Sequence, residues 1–172
     1  MKAHKHLAPL CLAALVGLTG CESQDTAQLR SALKTHDAVL QELPRQFYAP
    51  GLGDMMHTLQ LRHAKLWFAG KAGNWALAQF ELHELEESFE AIAQWHPAQE
   101  GLPVAAAIKV HMQPGRYALE QAIATSDGPR FDTAFERFTQ GCNDCHRALR
   151  HAFIVIERPT MEPVTNQRWE TG

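Results

Sequence analysis

The densest chemistry in the chain lies in Cys142-Asn143-Asp144-Cys145-His146. On a helix, positions i and i+3 share a face. Both thiols can therefore reach the two vinyl groups along one edge of a porphyrin. His146 follows directly and can turn its imidazole under the iron as the proximal ligand. The C-x-x-C-H pattern thus reads as attachment of one covalent haem c through Cys142 and Cys145. Other chemistries also use paired cysteines. A thioredoxin-like redox pair wants a βαβ context, and no alternation of strand and helix is visible. A structural zinc site needs four ligands, and no second cysteine pair is available. A plain disulfide is poorly served by i,i+3 spacing on a helix and leaves His146 unexplained.

The elements that must position this motif read as helices. Phe131, Ala134, Phe135, Phe138, Cys142, Cys145 and Leu149 recur at helical spacing. Asp127-Gly128-Pro129 can cap that helix, with Pro in its first turn. The cysteines fall on the apolar stripe, so the cofactor belongs to the core. Upstream, Leu52, Met56, Leu59, His63, Leu66 and Ala69 form a second stripe. After the breaker Gly70–Asn74 comes a third: Ala78, Leu82, Leu85, Phe89 and Ile92. So short a connection implies antiparallel neighbours. Pro97, Gly101 and Pro103 mark a loop before a short helical piece, Val104 to Met112. Pro114-Gly115 breaks that piece and opens a further helix with Leu119 and Ile123. Leu29, Leu33, Leu40 and Leu43 predict an additional helix ending at Leu43-Pro44, after a polar tether at Gln24 to Thr26. Phe153 to Ile156 reads as a short strand or a last helical turn, packing over a haem edge. Pro159 to Gly172 reads as an extended coil.

Met1 to Gly20 reads as an export signal: Lys2 and Lys5, an apolar run from Leu7 to Leu18, then small residues. Leu18-Thr19-Gly20-Cys21 resembles the lipobox of bacterial lipoproteins. That resemblance implies cleavage before Cys21 and lipid on its thiol. It implies a lipid anchor in a membrane and a bacterial cell envelope, on the periplasm-facing side. Glu22 stands where an Asp often retains lipoproteins in the inner membrane, so the outer membrane is slightly favoured. Cys11 lies in the signal and would be discarded. The organisation expected is a signal at 1–20, a tether and helix at 21–51, a helical core at 52–158 and a tail at 159–172.

The helical stripes make the expected fold all-α, and the bulk composition agrees with a single globular domain. The 172 residues carry 16 Lys+Arg against 19 Asp+Glu, a net charge of −3, so a nucleic-acid-binding surface is disfavoured. With 45% hydrophobic and 20% charged residues, the chain has the mass for a core. No apolar run approaches the ~20 residues of a bilayer span.

Phe131-x3-Phe135-x6-Cys142-x2-Cys145-His146, followed by Arg147 and Arg150, resembles the cytochrome c-prime, or class II cytochrome c, superfamily. The Ala69-Gly70-Lys71-Ala72 stretch resembles that family's first interhelical turn. The resemblance covers roughly Leu52 to Arg150 and implies an antiparallel four-helix bundle. The extra N-terminal helix and the tail depart from it. It also implies that the distal side of the haem faces the start of the first core helix, at Asp54-Met55-Met56-His57, then Arg62 and His63. Met56, on the apolar stripe, is the candidate sixth ligand. His63 is the alternative, and an open site or a Met that merely fills core stays open. Met55 points about 100° away from Met56 on an ideal helix. His57 is rotated further, toward solvent.

Arg62 and Lys65 are candidates to pair with propionates, or else lie on a solvated face. His36, His57, His83, His96, His111 and His151 read as surface or helix-end residues. Trp67, Trp75, Phe80 and Trp95 read as core or pocket wall. Glu81, Glu84, Glu86, Glu87 and Glu90 read as a solvated acidic face.

The resemblance implies a single-haem electron carrier, tethered by lipid and serving membrane-associated redox partners. Its rival is a haem protein with an open sixth position that takes NO or CO. An assembly lipoprotein with an accessory haem is a third reading. No enzyme is expected, since no G-x-S-x-G, H-E-x-x-H or phosphate loop is present. A peroxidase-like pairing of His63 with Arg62 stays open, as does a homodimer.

Overall fold

The computed structural model describes residues 24–47 and 49–171. The expected signal, the lipobox-like stretch and Cys21 lie outside them. All regular elements among the described residues are helices: α1 (Gln24–Phe47), α2 (Leu52–Lys71), α3 (Trp75–Trp95), α4 (Val104–Ala124) and α5 (Gly128–Ala148). The chain divides into two units, one ending at Pro44 and the other beginning at Arg45. In the first, α1 already includes Gln24 to Thr26, so the polar tether is helical there. The helix also runs past Pro44 to Phe47. Pro removes one backbone donor, which a helix survives when the freed carbonyl reaches water. No described helix is long and apolar enough to cross a membrane.

In the second unit the packed pairs are α2 with α3, α3 with α4, α4 with α5, and α2 with α5. Helices α3 and α5 begin at side-chain caps. Asn74 accepts the Leu77 N–H at 3.2 Å, following Gly73 at φ +69°. Asp127 accepts the Arg130 N–H at 3.0 Å, with Pro129 in the first turn of α5. Such caps satisfy donors that a helix N-terminus leaves unpaired.

The core is built on α5, whose Phe131, Phe135 and Phe138 are completely or almost completely buried. Trp67 of α2 lies 4.9 Å from Phe135, and Trp75 of α3 lies 5.9 Å from Phe131 (ring centroids). Burying each such ring contributes roughly 1.5–3 kcal/mol.

Several sequence expectations are corrected. Pro114 does not break α4, which is continuous from Val104 to Ala124. Pro114 is exposed, while Gly115 is buried against α5: a Cβ there would meet Phe138 Cα at 2.5 Å. The close packing holds the helix through the lost bond. Phe153 to Ile156 is neither strand nor helix. Arg150, at φ +62°, ends α5 and turns the chain away. The final segment is irregular yet pinned: Trp169 is buried, its ring 5.6 Å from Phe68, and Asn74 Nδ2 donates to its carbonyl at 2.9 Å. Arg158 pairs with Glu136 and lies over the Trp67 ring at 4.7 Å.

Candidate cofactor site

α5 delivers the C-x-x-C-H motif to the wall of an apolar cavity of about 190 Å³. Gly141 makes this approach possible, since a Cβ there would meet the His111 carbonyl oxygen of α4 at 2.5 Å. The backbones of α4 and α5 therefore close together just where Cys142 begins. Cys142, Cys145 and His146 all line the cavity. Leu59 of α2, Leu85 and Phe89 of α3, and Ile108 of α4 supply apolar walls.

Both cysteines are free thiols, Cys142 half-buried and Cys145 buried. Burial pushes the Cys142 thiol up to about 12, helped by the neighbouring Cys145 and opposed by a backbone hydrogen bond. Burial alone pushes Cys145 up to about 11. These are neutral thiols, the reverse of the lowered thiolate that a thioredoxin-like pair uses.

His146 is oriented by the backbone. Its Nδ1 lies 2.9 Å from the carbonyl oxygen of Ile154. A carbonyl only accepts, so Nδ1 carries the proton and Nε2 keeps the lone pair. That tautomer suits an imidazole that ligates through Nε2. Two thiols three residues apart, one such imidazole and apolar walls fit haem c.

Met56 is half-buried and lines the same cavity from α2. So does His63, but its surroundings are different. Its Nε2 is 2.8 Å from Thr139 Oγ1, and its ring sits 4.5 Å from that of Phe135. Burial lowers its pKa to about 4, so it is neutral at pH 7. Its Nε2 is thus already engaged within the core.

Arg62 and Lys65, weighed as propionate partners or a solvated face, pair with carboxylates of α3. Arg62 reaches Glu81 at 3.1 Å and Glu84 at 2.7 Å, and Lys65 reaches Glu81 at 3.2 Å. Glu81 is completely buried, which corrects its reading as part of a solvated face. A carboxylate out of water is retained only with partners such as these two cations. Arg62 does not line the cavity, so it and His63 do not meet there. Phe80, read as core, is 49% exposed, with Arg62 over its ring. Trp67 is core as expected. His57 is exposed, as its rotation predicts, yet lines the cavity, as does Gln60. His96 caps α3, its Nε2 2.8 Å from the Pro50 carbonyl.

The sequence reading missed Met112 as a lining residue. Met112 was legible as a second soft donor on a stripe with Ile108 and Leu119. Its sulfur would lie 3.5 Å from a Cβ on Gly141, so it packs against α5. Ile154 and Ile156 belong to the apolar run expected to pack over a cofactor edge, and the chain reversal at Arg150 brings them to the cavity wall.

The chain matches no family model, no curated protein and no solved structure in comparisons with each.

Proposed function

We propose that this protein is a single-haem c-type cytochrome that transfers electrons, with α2–α5 forming an antiparallel four-helix bundle of the cytochrome c-prime kind. The observation that carries this reading is the meeting of Cys142, Cys145 and His146 on one apolar cavity, with Nδ1 of His146 committed to a carbonyl. Haem c, when bound, supplies one-electron chemistry at its iron. Cys142 and Cys145 would hold it by thioether bonds, and His146 would offer Nε2. Leu59, Leu85 and Ile108 would exclude water from it. Met56 would supply the sixth donor, a thioether that raises the reduction potential. No residue is assigned a catalytic role.

The protein would be held at the periplasmic side of the envelope by lipid on Cys21, facing membrane-associated redox partners. Cys21→Ser should release it from membranes or stop processing. A variant that fractionates like the parent would contradict the anchor. For the haem itself, denaturing electrophoresis with haem staining should colour the band of the parent. Colour that survives Cys142→Ala with Cys145→Ala would sink the assignment.

A second reading, binding of NO or CO at an open sixth position, is favoured by the engagement of His63 with Thr139. It takes over if Met56 does not close the site. With Met56 ligated, the oxidised protein is low spin, and Met56→Ala makes it high spin and able to bind CO when reduced. A parent already high spin and readily binding CO would promote the gas-binding reading.

A further inference from the structure

We propose that Asn143, inside the C-x-x-C-H motif, is a positioning residue for His146, acting through the chain that returns after α5. This deepens the haem reading and rests on it.

The returning segment is fixed at several points. Arg150, at φ +62°, reverses the chain. The His151 N–H then donates to the His146 carbonyl at 2.7 Å, and the Ile154 N–H to the His151 carbonyl at 2.9 Å. Asn143 closes the loop from both sides: its Nδ2 donates to the Ile156 carbonyl at 2.9 Å, and its Oδ1 accepts the Ile156 N–H at 2.8 Å. Between these points the Ile154 carbonyl accepts from His146 Nδ1.

Apolar burial alone does not account for this path. Ile154 and Ile156 line the cavity, but Ile154 is still 42% exposed, Phe153 79% and Val155 65%. The polar clasp adds what those contacts lack, and it needs a side chain with a donor and an acceptor side by side. Asn offers both at this length; Asp lacks the donor, and Leu lacks both.

The consequence falls on His146. A fixed carbonyl at Nδ1 selects one tautomer, holds the ring plane and raises the basicity of Nε2. Without the clasp, Ile154 is free to leave, and Nδ1 exchanges its proton with water. A less basic Nε2 stabilises the ferric state less, so the reduction potential rises.

The test uses full-length, haem-matured protein, with Asn143→Leu as a neutral variant of similar size. NMR of the oxidised form follows solvent exchange of the hyperfine-shifted His146 Nδ1 proton, and voltammetry gives the potential. In the parent the proton should be protected. In Asn143→Leu its exchange should quicken by about tenfold or more, with a higher potential and the haem still covalent. Unchanged exchange and potential in a haem-loaded variant would overturn the clasp alone. A parent without covalent haem would overturn the haem reading and the clasp with it. If Asn143→Leu does not mature, Ile156→Pro, which removes the N–H given to Oδ1, is read by the same criteria. The parent also decides by itself: an Nδ1 proton exchanging as fast as in free imidazole contradicts the proposal.

Discussion

Helices α1 and α5 both carry apolar residues at helical spacing, and their fates differ. On α5, Phe131, Phe135 and Phe138 are at most 1% exposed. On α1, Leu29 is 62% exposed, Leu33 60% and Leu40 50%. Periodicity predicts that a helix forms and which face is apolar. What covers that face depends on partners. α5 has α4 and α2 against it, with Gly115 and Gly141 as points of closest approach. The lesson is that the same pattern marks a core in one place and an uncovered stripe in the other.

The sharpest way to break this contrast is to remove a ring from α5. Phe135→Ala should cost about 3–5 kcal/mol, read as a lower midpoint in urea. A loss below ~1 kcal/mol would mean that the Phe135 site is not packed as described.

Next in size is the imidazole packed against that ring. Burial holds folded His63 at about 4, against an ordinary 6.5. Between those values the unfolded chain takes up a proton that the folded chain refuses. Stability is therefore full above pH 6.5 and falls as pH drops to 4, by about 3 kcal/mol in all. His63→Gln, which keeps a partner for Thr139, should flatten that part of the profile. An identical slope in parent and variant would contradict a buried neutral imidazole.

Smaller again is Gly115→Ala. Its Cβ would meet Phe138 Cα at 2.5 Å, so α4 and α5 must shift apart. A cost of about 1–3 kcal/mol is expected, checked by thermal melting. The smallest effect belongs to α1. Leu29→Gln and Leu33→Gln should each change stability by less than about 0.5 kcal/mol. A larger loss would mean that a partner covers the stripe.

Much of this was legible in the sequence, for reasons that differ between residues. The α5 stripe and its Asp127 cap follow from local spacing, and so does the placing of Cys142 and Cys145 on one face. The turn at Gly73-Asn74 was equally local. Three things were not. Glu81 looked like its neighbours on α3, and only α2 reveals the cations that let it be buried. Pro114 read as a break because propensity says nothing of the packing that holds α4 together. Nothing local marks Asn143, since its partner Ile156 is brought back by the turn at Arg150.

The central claim is that Cys142, Cys145 and His146 hold one haem c in the cavity. It is tested most directly by absorption and EPR spectra of the matured protein, oxidised and reduced, with a pyridine haemochrome of the denatured chain. The account predicts one haem per chain, joined by two thioethers, with a low-spin ferric signal that turns high spin in Met56→Ala. A chain matured beside a working haem-attachment system that shows no haem absorbance, or haem that extracts into acidified organic solvent, would contradict it.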